Sequence, residues 1–223
     1  MRFIGYFLIR RLFSCSSEPI QKRADLHLFE ASDAATLVQV TGTFKIHENF
    51  VSKEEENRLI EEIEPHLKRL RYEKDHWDNA IVGYREVERK HWSKENLQVM
   101  KQVRELCFAP DALHLPMVHC LDVSKEGEIK PHIDAVRFCG STIAGLSLMS
   151  NVVMRLALEY DSSCWVKILL PQRSVYVMSG VARYNYTHAV LADKQSIFKG
   201  QRVPRERRIS VMFRVEPEEA ISG

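Results

Sequence analysis

After residue 118 the chain changes character, and that change limits its fold more than any other feature. Two helix-period stripes come first. Leu59, Ile60, Ile63, Leu67 and Leu70 follow Ser52 and Glu55 at capping-box spacing, with Pro65 expected to kink or break the helix. Leu97, Met100, Val103 and Cys107 mark a second helix over 93–108. Both stripes read as core packing. Beyond them stand only short β-rich runs, at 118–123, 129–134, 143–149, 152–157, 166–169, 174–178, 184–190 and 209–215. Strands in that number after two helices predict an α+β protein with a double-sheet jelly-roll core. The 223 residues, 45% of them apolar, suffice for one domain with a sizeable core. The chain has no repeat and no low-complexity tract.

On those strands lies a scattered constellation: His132-Ile133-Asp134, then His188, then Arg208 to Arg214. Residues i and i+2 of a strand point to one side, so His132 and Asp134 can converge on one ion while Ile133 packs into the core behind them. A third ligand must come from another strand, which His188 supplies, on one face with Tyr184 and Tyr186. Two imidazoles and a carboxylate hold non-haem Fe(II) on one face of an octahedron and leave the other positions open. The same parity aligns Arg208, Ser210, Met212 and Arg214 opposite Ile209, Val211 and Phe213, and a doubly basic face beside a metal suits a dicarboxylate. His76-Trp77-Asp78 repeats the triplet, but in a charged segment without alternation, so it is ranked second.

At these residues the chain resembles the AlkB family of Fe(II)- and 2-oxoglutarate-dependent dioxygenases. Tyr72-Glu73-Lys74-Asp75-His76-Trp77-Asp78, Ile129-Lys130-Pro131-His132-Ile133-Asp134, Phe138-Cys139-Gly140-Ser141-Thr142-Ile143-Ala144-Gly145-Leu146-Ser147-Leu148 and Arg207-Arg208-Ile209-Ser210-Val211 look like its mitochondrial subfamily, over about residues 46–215. The resemblance implies a double-stranded β-helix (jelly roll, cupin-like) with N-terminal helices buttressing one sheet. It implies His132, Asp134 and His188 as iron ligands, Arg208 and Arg214 as 2-oxoglutarate contacts, and Tyr176 as a further contact. No catalytic side chain beyond the metal centre is implied. Many family members carry Asn-x-Tyr ahead of His-x-Asp where this chain has Leu121-Asp122-Val123, a gap that Tyr176 is expected to fill.

A net charge of +2 gives no sign of polyanion binding. The cysteines, Cys15, Cys107, Cys120, Cys139 and Cys164, form no C-x-x-C pair and suggest reduced thiols. Cys139 invites a metal role by its nearness to Asp134, but a small buried hydrophobe is the plainer reading. Residues 1–17 are basic, acid-free and Ser-containing, as mitochondrial transit peptides are, and their apolar run is too short to span a bilayer. A short secretory signal is the rival reading, disfavoured by Gly5, Tyr6 and Arg10-Arg11. The expected plan is therefore a transit peptide at 1–17, a linker at 18–45, the dioxygenase domain at 46–215 and a tail at 216–223.

Residues 69–92 mix Arg69, Arg71, Arg85, Arg89 and Lys90 with Tyr72, Trp77, Tyr84 and Trp92, but also with Glu73, Asp75, Asp78, Glu86 and Glu88. They form either a nucleic-acid surface or a structural cover for the barrel, and the acids favour the cover. The expected enzyme acts in the mitochondrial matrix with Fe(II), 2-oxoglutarate and O2. Its expected substrate is a protein, with an RNA base second, and the resemblance places it in programmed necrosis after alkylation damage and in fatty-acid metabolism. The rival class is a regulatory or scaffold protein that keeps metal and 2-oxoglutarate as structural or sensing ligands. Turnover separates the two.

Overall fold

The computed structural model describes residues 23–74 and 80–217. The segment 1–17, the His76-Trp77-Asp78 triplet and the last six residues of the tail lie outside the described residues. In chain order the elements are β1 (Phe29–Ala31), α1 (Ala34–Thr41), β2 (Phe44–His47), α2 (Lys53–Leu67), β3 (Ile81–Arg89), α3 (Lys94–Cys107), β4 (Val118–His132), β5 (Thr142–Leu148), β6 (Val152–Leu158), β7 (Asp161–Leu170), β8 (Ser174–Ser179), α4 (Gly180–Tyr184), β9 (Tyr186–Val190), β10 (Ile197–Phe198), β11 (Gln201–Arg202) and β12 (Arg208–Arg214). One antiparallel sheet runs β1-β7-β6-β9-β4-β12-β5-β8-β2, with β3 also on β4 and β10-β11 a separate hairpin.

The two runs expected at 118–123 and 129–134 are one strand. The first part of β4 pairs with β12, Arg208 facing Val123 and Met212 facing His119, while Ile129 and His132 pair with β9. One long strand thus belongs to both halves of the sheet, and the ladder curls on itself as a jelly-roll half-barrel. Strand β3 follows β4 along its length with a bulge at Gly83, whose φ of +66° suits glycine. A Cβ on Gly127 would stand 2.6 Å from the Gly83 oxygen, so the two backbones can close only as glycines.

Two apolar layers follow from strand parity. Leu121, Val123, Ile143, Met154, Leu156 and Tyr186 fill the inside of the curl. Ile209, Val211, Phe213, Leu146 and Leu148 face outward, where Leu59, Ile63 and Leu67 of α2 and Val99, Met100 and Val103 of α3 cover them. The helices therefore buttress one side, and the inner face of β12 is left to Arg208, Ser210, Met212 and Arg214.

Helix α2 starts with the expected capping box: Ser52 Oγ accepts from Glu55 N at 3.2 Å, and Glu55 Oε2 accepts from Ser52 N at 2.8 Å. Pro65 breaks nothing, since it sits in the last turn and the helix ends at Leu67; Leu70 lies beyond it, exposed. In α3 Met100, Val103 and Cys107 are buried as expected, and only Leu97 departs from the predicted stripe. Asn96 is buried with its amide on Arg58 O and Glu62, whereas Leu97 is half-exposed. Part of the stretch read as a linker is built into the fold: β1 pairs with β7, α1 is capped by Asp33, and β2 pairs with β8.

Candidate metal centre

His132 closes β4 and stands directly opposite His188 of β9, their rings 4.2 Å apart between centroids. Asp134 follows two residues past the strand end. One ligand atom from each of the three lies within 4.8 Å of the others, and His132 Nε2 is 3.5 Å from Asp134 Oδ1. His132 Nδ1 donates to Lys130 O at 2.8 Å, which fixes the tautomer and turns Nε2 toward the group. Ile133 does not pack into the core as expected. The ladder slips between Ile129 and His132 and ends there, so strict alternation fails and Ile133 lines the pocket instead.

The electrostatics suit a divalent ion. Burial, reinforced by the neighbouring His132, pushes His188 down to about 4, so it is a neutral donor at physiological pH. Burial works against charge on Asp134 too. The neighbouring His132, with His188 and Arg214 nearby, outweighs it and holds the carboxyl well below the usual carboxylate range. Two imidazoles and one ionised carboxylate are the donor set that non-haem Fe(II) takes.

The loop bearing Asp134 is tied down by a residue that sequence reasoning missed. Arg183, 1% exposed, donates from Nη1 to Asp134 O at 2.7 Å and from Nη2 to both Cys139 O and Cys139 Sγ at 3.2 Å. It reaches there because residues 180–184 form the short helix α4 and not the start of a strand; Tyr184 is accordingly exposed and shares no face with His188. No pattern in the sequence marks Arg183. Cys139 is buried, with its thiol pushed up by burial, and stands outside the ligand group.

A cavity of about 690 Å³ opens from the triad into the curl. Arg208, Ser210, Met212 and Arg214 of β12 all line it, as parity required, together with Tyr176 of β8 and Leu121 of β4. Arg208 is 1% exposed, and its polar contacts are hydroxyls: Nε donates to Ser147 Oγ at 3.1 Å and Nη2 to Ser210 Oγ at 3.4 Å. Among the described residues no carboxylate lies within 4.0 Å of it. Tyr176 stacks on Phe44 at 5.6 Å and crosses β5 at Gly145, where a Cβ would meet the ring at 2.3 Å. Burial pushes its phenol up, so it stays a hydroxyl. Asp122, beside Leu121, faces the opposite way into an ion-pair cluster, so of Leu121-Asp122-Val123 only Leu121 lines the cavity.

A family model described as the 2OG-Fe(II) oxygenase superfamily matches residues 43–214. The mitochondrial alpha-ketoglutarate-dependent dioxygenase alkB homolog 7 of Mus musculus is 48% identical, over 84% of this chain and 85% of its own length. This chain belongs to the AlkB family of 2OG-Fe(II) oxygenases. The Bos taurus protein of the same name is 45% identical over the same shares. A prolyl-4-hydroxylase from Pseudomonas putida shares the fold, with a TM-score of 0.53 at 12% identity, covering 83% of this chain and all of that one. As an AlkB dioxygenase the chain uses Fe(II), with 2-oxoglutarate and O2 as co-substrates. Both groups suit the cavity: the donor set fits the metal, and a buried guanidinium without a protein carboxylate fits the co-substrate.

Proposed function

We propose that this dioxygenase works in the mitochondrial matrix, where it hydroxylates or demethylates a protein side chain. In this reading His132, Asp134 and His188 hold Fe(II), and Arg208, Arg214 and Tyr176 hold 2-oxoglutarate. Metal and co-substrates would supply the oxidation itself, 2-oxoglutarate and O2 giving succinate and carbon dioxide, with one oxygen atom going to succinate and the other into a substrate C–H bond. The chain's own residues position and shelter. Lys130 O orients His132, Arg183 pins the Asp134 backbone, and Arg208 offers a planar fork whose charge does not depend on physiological pH.

The observation that carries a protein over a nucleic acid is the state of two cations in 69–92, Arg85 and Arg89. Arg85 pairs with Asp122 at 2.7 Å and stacks over Tyr72, and Arg89 pairs with Glu62 at 3.2 Å beside Trp92. These side chains are held by the protein's own acids, while Glu86 and Glu88 line the cavity. A phosphate backbone would meet carboxylates there. The location rests on the relatives' printed names and on the basic, acid-free residues 1–17. A part in necrosis after alkylation damage and in fatty-acid metabolism is proposed on the family resemblance alone.

The test is a mass-spectrometric comparison of matrix proteins and RNA treated with the wild type and with Asp134→Ala. The expected result is an added oxygen or a lost methyl group on a protein, with the wild type only. Modification confined to RNA would overturn the protein reading, and no turnover on any substrate would favour a sensing role.

A further inference from the structure

The two pocket arginines are secured very differently. Arg208 is braced by two hydroxyls. Arg214, at the other end of the same strand face, has Nε buried without a partner and no carboxylate within 4.0 Å among the described residues. Among the described residues its one side-chain hydrogen bond is from Nη1 to His119 Nδ1, at 3.4 Å. His119 lies on β4 across from Met212, lines the same cavity, and has its other nitrogen, Nε2, 2.6 Å from Glu86 Oε2 on β3.

The chemistry of these groups fixes the direction of each bond. A carboxylate only accepts, so Nε2 carries the hydrogen; a guanidinium only donates, so Nδ1 must offer its lone pair. Arg214 therefore donates to a His119 whose tautomer Glu86 has selected. We propose that His119, oriented by Glu86, is the positioning residue for Arg214, setting its guanidinium to face the 2-oxoglutarate carboxylate. This rests on the reading of Arg214 as a co-substrate contact. Three strands, β3, β4 and β12, thereby contribute to one grip, and Glu88, exposed on the same face, takes no part.

The experiment is a 2-oxoglutarate titration of Mn(II)-loaded protein, for wild type, His119→Phe, His119→Asn, Arg214→Ala and the double variant His119→Phe/Arg214→Ala. Phenylalanine keeps the ring's bulk and removes both bonds. Asparagine can place its amide oxygen near the position of Nδ1. Expected are a loss of about tenfold for His119→Phe, partial recovery in His119→Asn, unchanged Mn(II) affinity, and no further loss when Phe is added to Arg214→Ala. An equal loss from His119→Phe in both backgrounds, or none in either, overturns the proposal. Wild-type affinity in Arg214→Ala would instead overturn the reading of Arg214 beneath it.

Discussion

Arg207 and Arg208 are neighbours in sequence and opposites in circumstance. Arg207 turns outward into a cluster that also holds Arg85, Tyr72, Asp122 and Glu64. It gives Asp122 two bonds, at 3.0 and 2.8 Å, and Glu64 two more, at 3.2 and 2.7 Å. Burial acts against its charge, but the bonds to Asp122 and Glu64 outweigh this and raise it above the usual guanidinium range. Arg208 turns inward, is more deeply buried, and has only serine hydroxyls; burial lowers it. An arginine whose charge is met within the fold is part of the scaffold. One that is buried and left unmatched carries an electrostatic cost that a ligand's carboxylate can relieve. The same residue type, one position apart, thus separates the part of the molecule that holds shape from the part proposed to receive co-substrate.

The comparison breaks if the outer cluster proves dispensable. Asp122 is fully buried between two arginines, so Asp122→Ala should lower the unfolding free energy by about 3–5 kcal/mol. Urea unfolding measures this. Folded Asp122→Ala should still bind 2-oxoglutarate with near wild-type affinity, and a large loss of that affinity would mean the two regions are not separable. On the pocket side, Arg183→Met should weaken Mn(II) by roughly ten- to a hundredfold, because it frees the Asp134 backbone without touching the metal. Calorimetric titration with Mn(II) is the check, and an unchanged affinity would show that the loop needs no anchor. The smallest effect is expected at Gly145→Ala. The new methyl must push the Tyr176 ring aside, lowering 2-oxoglutarate affinity by less than about tenfold while leaving Mn(II) binding intact.

What the sequence disclosed and what it hid follow one physical line. Side-chain parity within a strand is local, so the two faces of β12 were readable, and Ser52 and Glu55 announced the start of α2; His188 was legible only through the ligand pattern that needs a third donor. Parity fails where the ladder is irregular. The slip near the end of β4 turned Ile133 into the pocket, and α4 removed Tyr184 from the strand. Partners across the fold left no local trace. Nothing near Arg183 says that it will reach Asp134, and nothing near Arg207 says that Asp122 and Glu64 will neutralise it. In α3 only Leu97 was misread: the buried place beside it goes to Asn96, a polar residue whose amide is satisfied by Arg58 O and Glu62.

The central claim, that Arg208 awaits a carboxylate while Arg207 already has its own, is tested most directly by one paired measurement. Arg207→Met and Arg208→Met are each unfolded in urea without ligand and titrated with 2-oxoglutarate after Mn(II) loading. Arg208→Met should lose roughly ten- to a hundredfold in co-substrate affinity, the equivalent of one or two charge-assisted bonds, with no loss of ligand-free stability. Arg207→Met should do the reverse, keeping its affinity and losing about 3 kcal/mol of stability. Wild-type affinity in Arg208→Met, or the same losses in both variants, would contradict the account.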